Sequence, residues 1–198
     1  MVQTLKDVRR QPLSTVLLAC VAAAAVSAIA VGILFGGGSG DEQSTGDTVV
    51  LQEGDEVTDV VGEQVSDLPY QVLGSDEETS LTAYAGRPMV VNFFASWCAP
   101  CVTEMPAFEQ VHQELGDQVA FVGLSTSDQE DATQQLVEDT GVTYDLGRDP
   151  RGDVLVDMGG ANLPITALVR ADGTIAAVIT GGLTADELTE RIQSDLLA

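Results

Sequence analysis

Three kinds of hydrophobic patterning follow one another along the chain. The first is an unbroken apolar run, Leu13 to Phe35, with no charge and only Ser14, Thr15 and Ser27 as hydroxyl residues. At helical rise it spans roughly 34 Å, enough to cross a ~30 Å hydrocarbon layer. Lys6, Arg9 and Arg10 precede the run, and Asp41 and Glu42 follow it. The positive-inside rule then predicts a cytoplasmic N-terminus and an exported remainder. A secretory signal cut after Ala28-Ile29-Ala30 is one alternative, but its apolar core would be only ~7–15 residues. A lipoprotein signal at Leu17-Leu18-Ala19-Cys20 is another, yet the sequence stays apolar long past Cys20. The expectation is an uncleaved anchor.

The second pattern is polar. Gly36 to Asp47 has the composition of a flexible tether, and acidic, weakly apolar sequence continues to about Ser66. The expected organisation is therefore a cytoplasmic segment at 1–12, a transmembrane helix at 13–35, an acidic linker at 36–65 and a folded domain at 66–198.

In that domain the period alternates between strand and helix. Met89–Ala95 reads as a buried central strand, and Gln118–Ser125 as a second. Between them Val102, Met105, Phe108, Val111 and Leu115 form the apolar stripe of a helix that ends at Gly116. Ser127-Asp128-Gln129-Glu130 reads as a capping box, opening a helix to about Thr140 with Gly141 as its left-handed cap. Ile165–Arg170 and Thr174–Thr180 flank a hairpin turn at Ala171-Asp172-Gly173. Thr184 to Glu187 is a second capping box, with Leu183 and Leu188 as a hydrophobic staple, opening a last helix to about Leu197. Tyr70–Leu73 and Thr79–Thr82 form a short extra hairpin. The sum is an α/β domain with a mixed central sheet flanked by helices.

Charge narrows the partners. Against 31 Asp+Glu stand 8 Lys+Arg, a net of −23. Three of the basic residues lie before residue 36, opposed only by Asp7, so the rest carries 5 − 30 = −25. A phosphate polyanion needs a basic face and finds none, so nucleic acid is excluded as a partner.

The chemistry is concentrated at Cys98-Ala99-Pro100-Cys101, between the first strand and its helix. A thiol at a helix N-terminus meets free amides and the positive end of the dipole, which favour the thiolate. Cys98 is then the attacking nucleophile and Cys101, one turn inside, resolves the mixed disulfide. Zinc would need four ligands, and this region offers two cysteines and His112, so no metal and no cofactor is expected. A purely structural disulfide across so short a loop would constrain the unfolded chain little. His112, far along the helix, reads as a surface or rim residue.

Phe94-Ala95-Ser96-Trp97-Cys98-Ala99-Pro100-Cys101 resembles the active site of the thioredoxin superfamily. With Glu104-Met105-Pro106 following, the chain is similar to the membrane-anchored TlpA/ResA/DsbE-like thiol-disulfide oxidoreductases. The resemblance runs from about residue 66 to the C-terminus. It takes in Asp149-Pro150-Arg151-Gly152, Leu163-Pro164, Arg170 to Ile175 and Gly181 to Thr184. It implies a thioredoxin-like fold and a redox-active Cys98–Cys101 pair. Pro164 matches the family's cis-proline, which lies against the disulfide and pairs with substrate backbone. Leu163 before it is bulkier than many relatives carry, which bears on specificity. Trp97 and Pro100 support the dithiol, and Pro106 kinks the helix. Asn92 stands where thioredoxins carry a buried aspartate, and Glu104 falls where the ResA-like branch places an acid–base glutamate. In a partly apolar pocket such a carboxyl has a raised pKa and can exchange protons with Cys101.

The resemblance further implies exported proteins with disulfides as substrates, apocytochrome c during cytochrome c biogenesis among them. A membrane electron donor of the CcdA/DsbD type would recharge the pair. The uncharged Ala99-Pro100 and the acidic surroundings favour a reductant. Two rivals stand beside this reading. A peroxiredoxin-like peroxidase wants a distant resolving cysteine, and a Sco-like copper-delivery protein wants a three-residue cysteine spacing and a distal histidine.

Overall fold

The computed structural model describes residues 59–198. The expected membrane span and most of the tether lie outside them. Among the described residues no helix is long and apolar enough to cross a membrane. Ahead of Ser66 the chain is already bonded to the domain: Gly62 N–H donates to Ile175 O, and Val65 N–H to Gly173 O.

Seven strands form one sheet in the order β2-β1-β5-β4-β3-β6-β7. They are β1 (Tyr70–Val72), β2 (Glu78–Thr79), β3 (Met89–Phe94), β4 (Ala120–Thr126), β5 (Asp145–Asp149), β6 (Ile165–Val169) and β7 (Ile175–Thr180). The helices are α1 (Ala99–Leu115), α2 (Glu130–Thr140), α3 (Asp153–Asp157) and α4 (Ala185–Asp195). β3 pairs parallel with β4, and β4 with β5, while β6, β7, β1 and β2 run antiparallel to their neighbours. The sheet is mixed, as expected.

All six residues of β3 and all seven of β4 are buried, because both faces of these strands are covered. Alternation splits them cleanly. Val90 and Phe94 join Met105, Phe108 and Val111 of α1, Leu136 of α2, and Leu188 and Ile192 of α4. Met89, Val91 and Phe93 face the other way, with Val154 and Leu155 of α3 and with Leu81. The central strand thus forms the floor beneath α1, and its C-terminal end delivers the chain to the helix start. Full burial of side chains such as Phe93, Phe94 and Phe108 contributes about 2–3 kcal/mol each.

Two local expectations are corrected, and two elements are additional to those expected. The segment after Thr79 is not strand throughout, since Leu81–Tyr84 closes a 3-10 turn that buries Leu81. The capping box at Ser127–Glu130 does not form: α2 begins after Gln129, which makes no side-chain cap bond. Asp128 is drawn away to Ser96, and Ser127 adopts a left-handed φ of 52° to turn the chain. The capping box at Thr184 and Glu187, by contrast, is complete. Finally, β5 and α3 have no counterpart in the hydrophobic pattern. β5 is polar but lies between β1 and β4, and its Gly147 passes under the Tyr70 ring, whose carbons a Cβ would meet at 2.4 and 2.6 Å.

Candidate active site

β3 ends at Phe94, and a tight connection carries the chain into α1. Cys98 N–H donates to Ala95 O at 3.1 Å, which closes the turn. Ser96 is held from across the sheet end: its N–H donates to Asp128 Oδ2 at 2.6 Å and its hydroxyl to Asp128 Oδ1 at 2.9 Å. Asp128 also accepts Gln129 N–H at 2.8 Å and the Thr133 hydroxyl at 3.2 Å. Trp97 is 64% exposed, and its indole N–H reaches Ser127 O at 3.3 Å. Asp128 therefore fixes the loop that presents Cys98. The sequence marks it only as part of a helix cap, because its partner lies 32 residues away.

Cys98 is the N-cap of α1 and Cys101 lies in the first turn; the two are joined as a disulfide with Cα atoms 5.3 Å apart. Cys101 N–H donates to Cys98 Sγ at 3.4 Å. In the reduced protein the same amide, with the dipole behind it, stabilises a Cys98 thiolate. Pro100 sits where the helix needs no N–H donor, so it costs nothing and fixes the turn. Cys98 is 5% exposed and Cys101 fully covered, which makes Cys98 the sulfur an incoming disulfide can reach. Pro164 follows a cis peptide bond from Leu163, and its carbonyl accepts Gly181 N–H at 3.0 Å. Leu163 is half-buried and packs against both core clusters.

Glu104 lies one turn beyond Cys101, on the helix face turned to the core. It is only 4% exposed. Asn92 Nδ2 donates to Oε1 at 2.8 Å and Leu183 N–H to Oε2 at 3.1 Å. Burial disfavours the charged form more than these two donors favour it, and the carboxyl's pKa rises from 4.5 to about 7. Its other side opens on a cleft of about 680 Å³ between α1 and the start of α4, lined by Pro100, Thr103, Ala107, Gly182 and Leu183. The site thus combines a nucleophilic sulfur, a resolving sulfur and a carboxyl that changes protonation near neutrality.

His112 lies at the rim of the core, away from the sulfurs. Its ring is half-buried against Phe121 and Tyr144, with centroids 5.3 and 5.8 Å away. Eleven helical steps separate it from Cys101, about 16 Å along the axis. Among the described residues, no three His, Cys, Asp or Glu side chains gather as metal ligands.

The sequence matches the AhpC/TSA family over residues 61–178. It is 31% identical over 141 residues to the thioredoxin-like protein YneN of Bacillus subtilis, covering 68% of this chain and 79% of the relative. It is 33% identical over 137 residues to the thiol:disulfide interchange protein HelX of Rhodobacter capsulatus, covering 68% and 76%. The chain belongs to the AhpC/TSA family, among its thiol-disulfide oxidoreductases. A solved structure of similar fold is that of a DsbF homologue from Corynebacterium diphtheriae, with TM-score 0.63 and 30% identity over 79% of this chain and 99% of that one. The family's thioredoxin-like fold is the one described above, and the Cys98–Cys101 pair is consistent with family activity.

Proposed function

We propose that the protein is a membrane-anchored, extracytoplasmic reductant of disulfides in exported proteins. The observation that carries the exchange chemistry is Glu104, a buried carboxyl one helical turn from the resolving cysteine and shifted to titrate near pH 7. In the reduced protein the Cys98 thiolate attacks a substrate disulfide, and the first substrate sulfur leaves and takes up a proton. Glu104 accepts the Cys101 proton. The Cys101 thiolate then attacks Cys98 Sγ, the Cys98–Cys101 bond forms, and the second substrate sulfur leaves and is protonated. Two electrons and two protons have passed to the substrate. A membrane dithiol donor of the CcdA/DsbD type returns them. Apocytochrome c is the substrate that the family resemblance suggests.

Export is supported by the uncharged run Leu13–Phe35 behind Lys6, Arg9 and Arg10. The reducing direction is supported by the uncharged Ala99-Pro100 between the sulfurs and by the acidic surroundings, which disfavour extra thiolate. A peroxidase would resolve its cysteine at a distance, whereas the partner of Cys98 is one turn away. A copper carrier would need His112 near the sulfurs.

The midpoint potential of Cys98–Cys101 tests the direction: a value near ~−270 mV fits a reductant and one near ~−120 mV an oxidant. In insulin reduction, Cys98→Ala abolishes activity, and Cys101→Ala accumulates mixed disulfides with substrate. Faster alkylation of Cys101 than of Cys98 in the reduced protein would reverse the assignment of roles.

A further inference from the structure

Beneath Glu104 two polar side chains share one face of the sheet, each with an oxygen that bonds nothing in the protein. Asn92 on β3 and Thr166 on β6 are direct cross-strand partners. Asn92 alternates with Val90 and Phe94, and Thr166 with Leu168, so both belong to the face that α1 covers. Asn92 is 1% exposed and Thr166 not at all. Asn92 Nδ2 is committed to Glu104, while Asn92 Oδ1 and Thr166 Oγ1 have no hydrogen-bond partner. A buried acceptor and a buried hydroxyl left so are costly unless something pairs them. Opposed Cβ atoms on antiparallel strands lie about 4.5–5.5 Å apart. The two oxygens do not bond each other, yet that spacing suits a single bridging water, which needs two or more polar partners.

We infer that Asn92 and Thr166 hold one ordered water beneath Glu104, and that this polar chain sets the proton affinity with which Glu104 serves Cys101. The inference rests on the acid–base role proposed above for Glu104. With Glu104 ionised, the Thr166 hydroxyl donates to the water, the water to Asn92 Oδ1, and Asn92 Nδ2 to the carboxylate. With Glu104 protonated, the amide turns over: the carboxyl O–H donates to Oδ1, Nδ2 to the water and the water to Thr166 Oγ1. An amide, a water and a hydroxyl can each run in either direction, so the chain from Glu104 to Thr166 stays connected in both proton states. An aspartate at position 92 could not donate to the ionised form and would repel it. The other titratable groups around Glu104 are Glu187 of α4 on the same cleft, Tyr144, whose phenol senses the Glu104 charge, and the two cysteines of its own helix. Asn92 and Thr166 are thus positioning residues, acting on Cys101 through Glu104.

The test follows the resolving step in the reduced, full-length protein. A chromogenic aryl disulfide is added at one equivalent, and the second thiolate release, driven by Cys101, is timed across pH. Thr166→Val removes the hydroxyl at nearly constant volume. Its Glu104-linked inflection is expected to move up by about one pH unit, with Thr166→Ser restoring the wild-type profile. A wild-type profile in Thr166→Val overturns the relay. Glu104→Gln is the reference: if it leaves the inflection in place, the acid–base role itself fails, which is a separate result. Should Thr166→Val not fold, a crystal structure of the wild-type protein showing ordered solvent decides. A water within bonding distance of Asn92 Oδ1 and Thr166 Oγ1 supports the inference, and a dry gap overturns it.

Discussion

Glu104 sits where a charge is expensive, and that expense is visible in stability as well as in catalysis. The folded protein keeps its proton up to about pH 7, whereas an unfolded chain releases it near 4.5. Between those values the folded state binds more protons, so stability falls as pH rises through the window and the loss is complete above about 7. A shift of that size corresponds to about 3 kcal/mol at full ionisation. Glu104→Gln removes the penalty while keeping a side chain that can bond Asn92 and Leu183. Chemical denaturation across pH is expected to show the variant gaining on wild type as pH rises from 5 to 8, by on the order of 2–3 kcal/mol. A constant difference across that range would mean the carboxyl is hydrated in the folded state. The same variant should flatten the pH dependence of the resolving step while leaving the first attack by Cys98 intact.

Between elements, the active-site loop depends on a carboxylate that comes from the far end of the next strand. Asp128 ties Ser96 by two bonds and Thr133 by a third, so the turn before Cys98, the end of β4 and the start of α2 share one anchor. Asp128→Ala leaves Ser96 N–H without its acceptor. The expected cost is roughly 1–3 kcal/mol by denaturation, with slower insulin reduction, and Asp128→Asn should lie between variant and wild type because one acceptor oxygen remains. Unchanged insulin reduction in a destabilised Asp128→Ala would confine the residue to folding. This anchor also explains which parts of the fold were legible. β3 and β4 announce themselves because strands covered on both faces must be apolar runs. The Thr184 capping box is legible because all its partners are local. Asp128 obeyed the same local pattern but was claimed by a residue far away in sequence. Asp145-Leu146-Gly147-Arg148-Asp149 has turn-like composition, and only its two flanking strands make it extended. At the site, Cys98, Cys101, Pro164 and Glu104 were visible by motif, whereas Thr166 gave no signal as a lone hydroxyl in an apolar strand.

At the scale of the whole molecule the dominant fact is uncompensated negative charge. Three of the five arginines of the described residues are held in ion pairs: Arg148 with Glu130 at 2.9 Å, Arg151 with Asp153 at 2.6 Å and Arg191 with Asp195 at 2.8 Å. Arg87 is bonded to the carbonyls of Gly116 and Val119. Most of the carboxylates therefore face one another across solvent, and their mutual repulsion opposes the compact state more than the expanded one. Exposed ion pairs contribute only ~0–1 kcal/mol each, so screening them away loses little. Salt is then expected to stabilise. Raising NaCl from ~0.01 M to ~0.15 M shortens the Debye length from about 30 Å to about 8 Å, which removes most of the long-range repulsion while leaving contacts intact. The thermal midpoint should rise steeply over that interval and level off beyond it. Sucrose at matched osmolality separates screening from exclusion effects, because it screens nothing. The same screening lowers the cost of a thiolate at Cys98, so the alkylation pKa of the reduced protein should fall over the same salt range. A midpoint that drops on adding salt would mean the three ion pairs outweigh the repulsion, and an alkylation pKa indifferent to salt would mean that the charge surrounding the site is already cancelled locally by the start of α1.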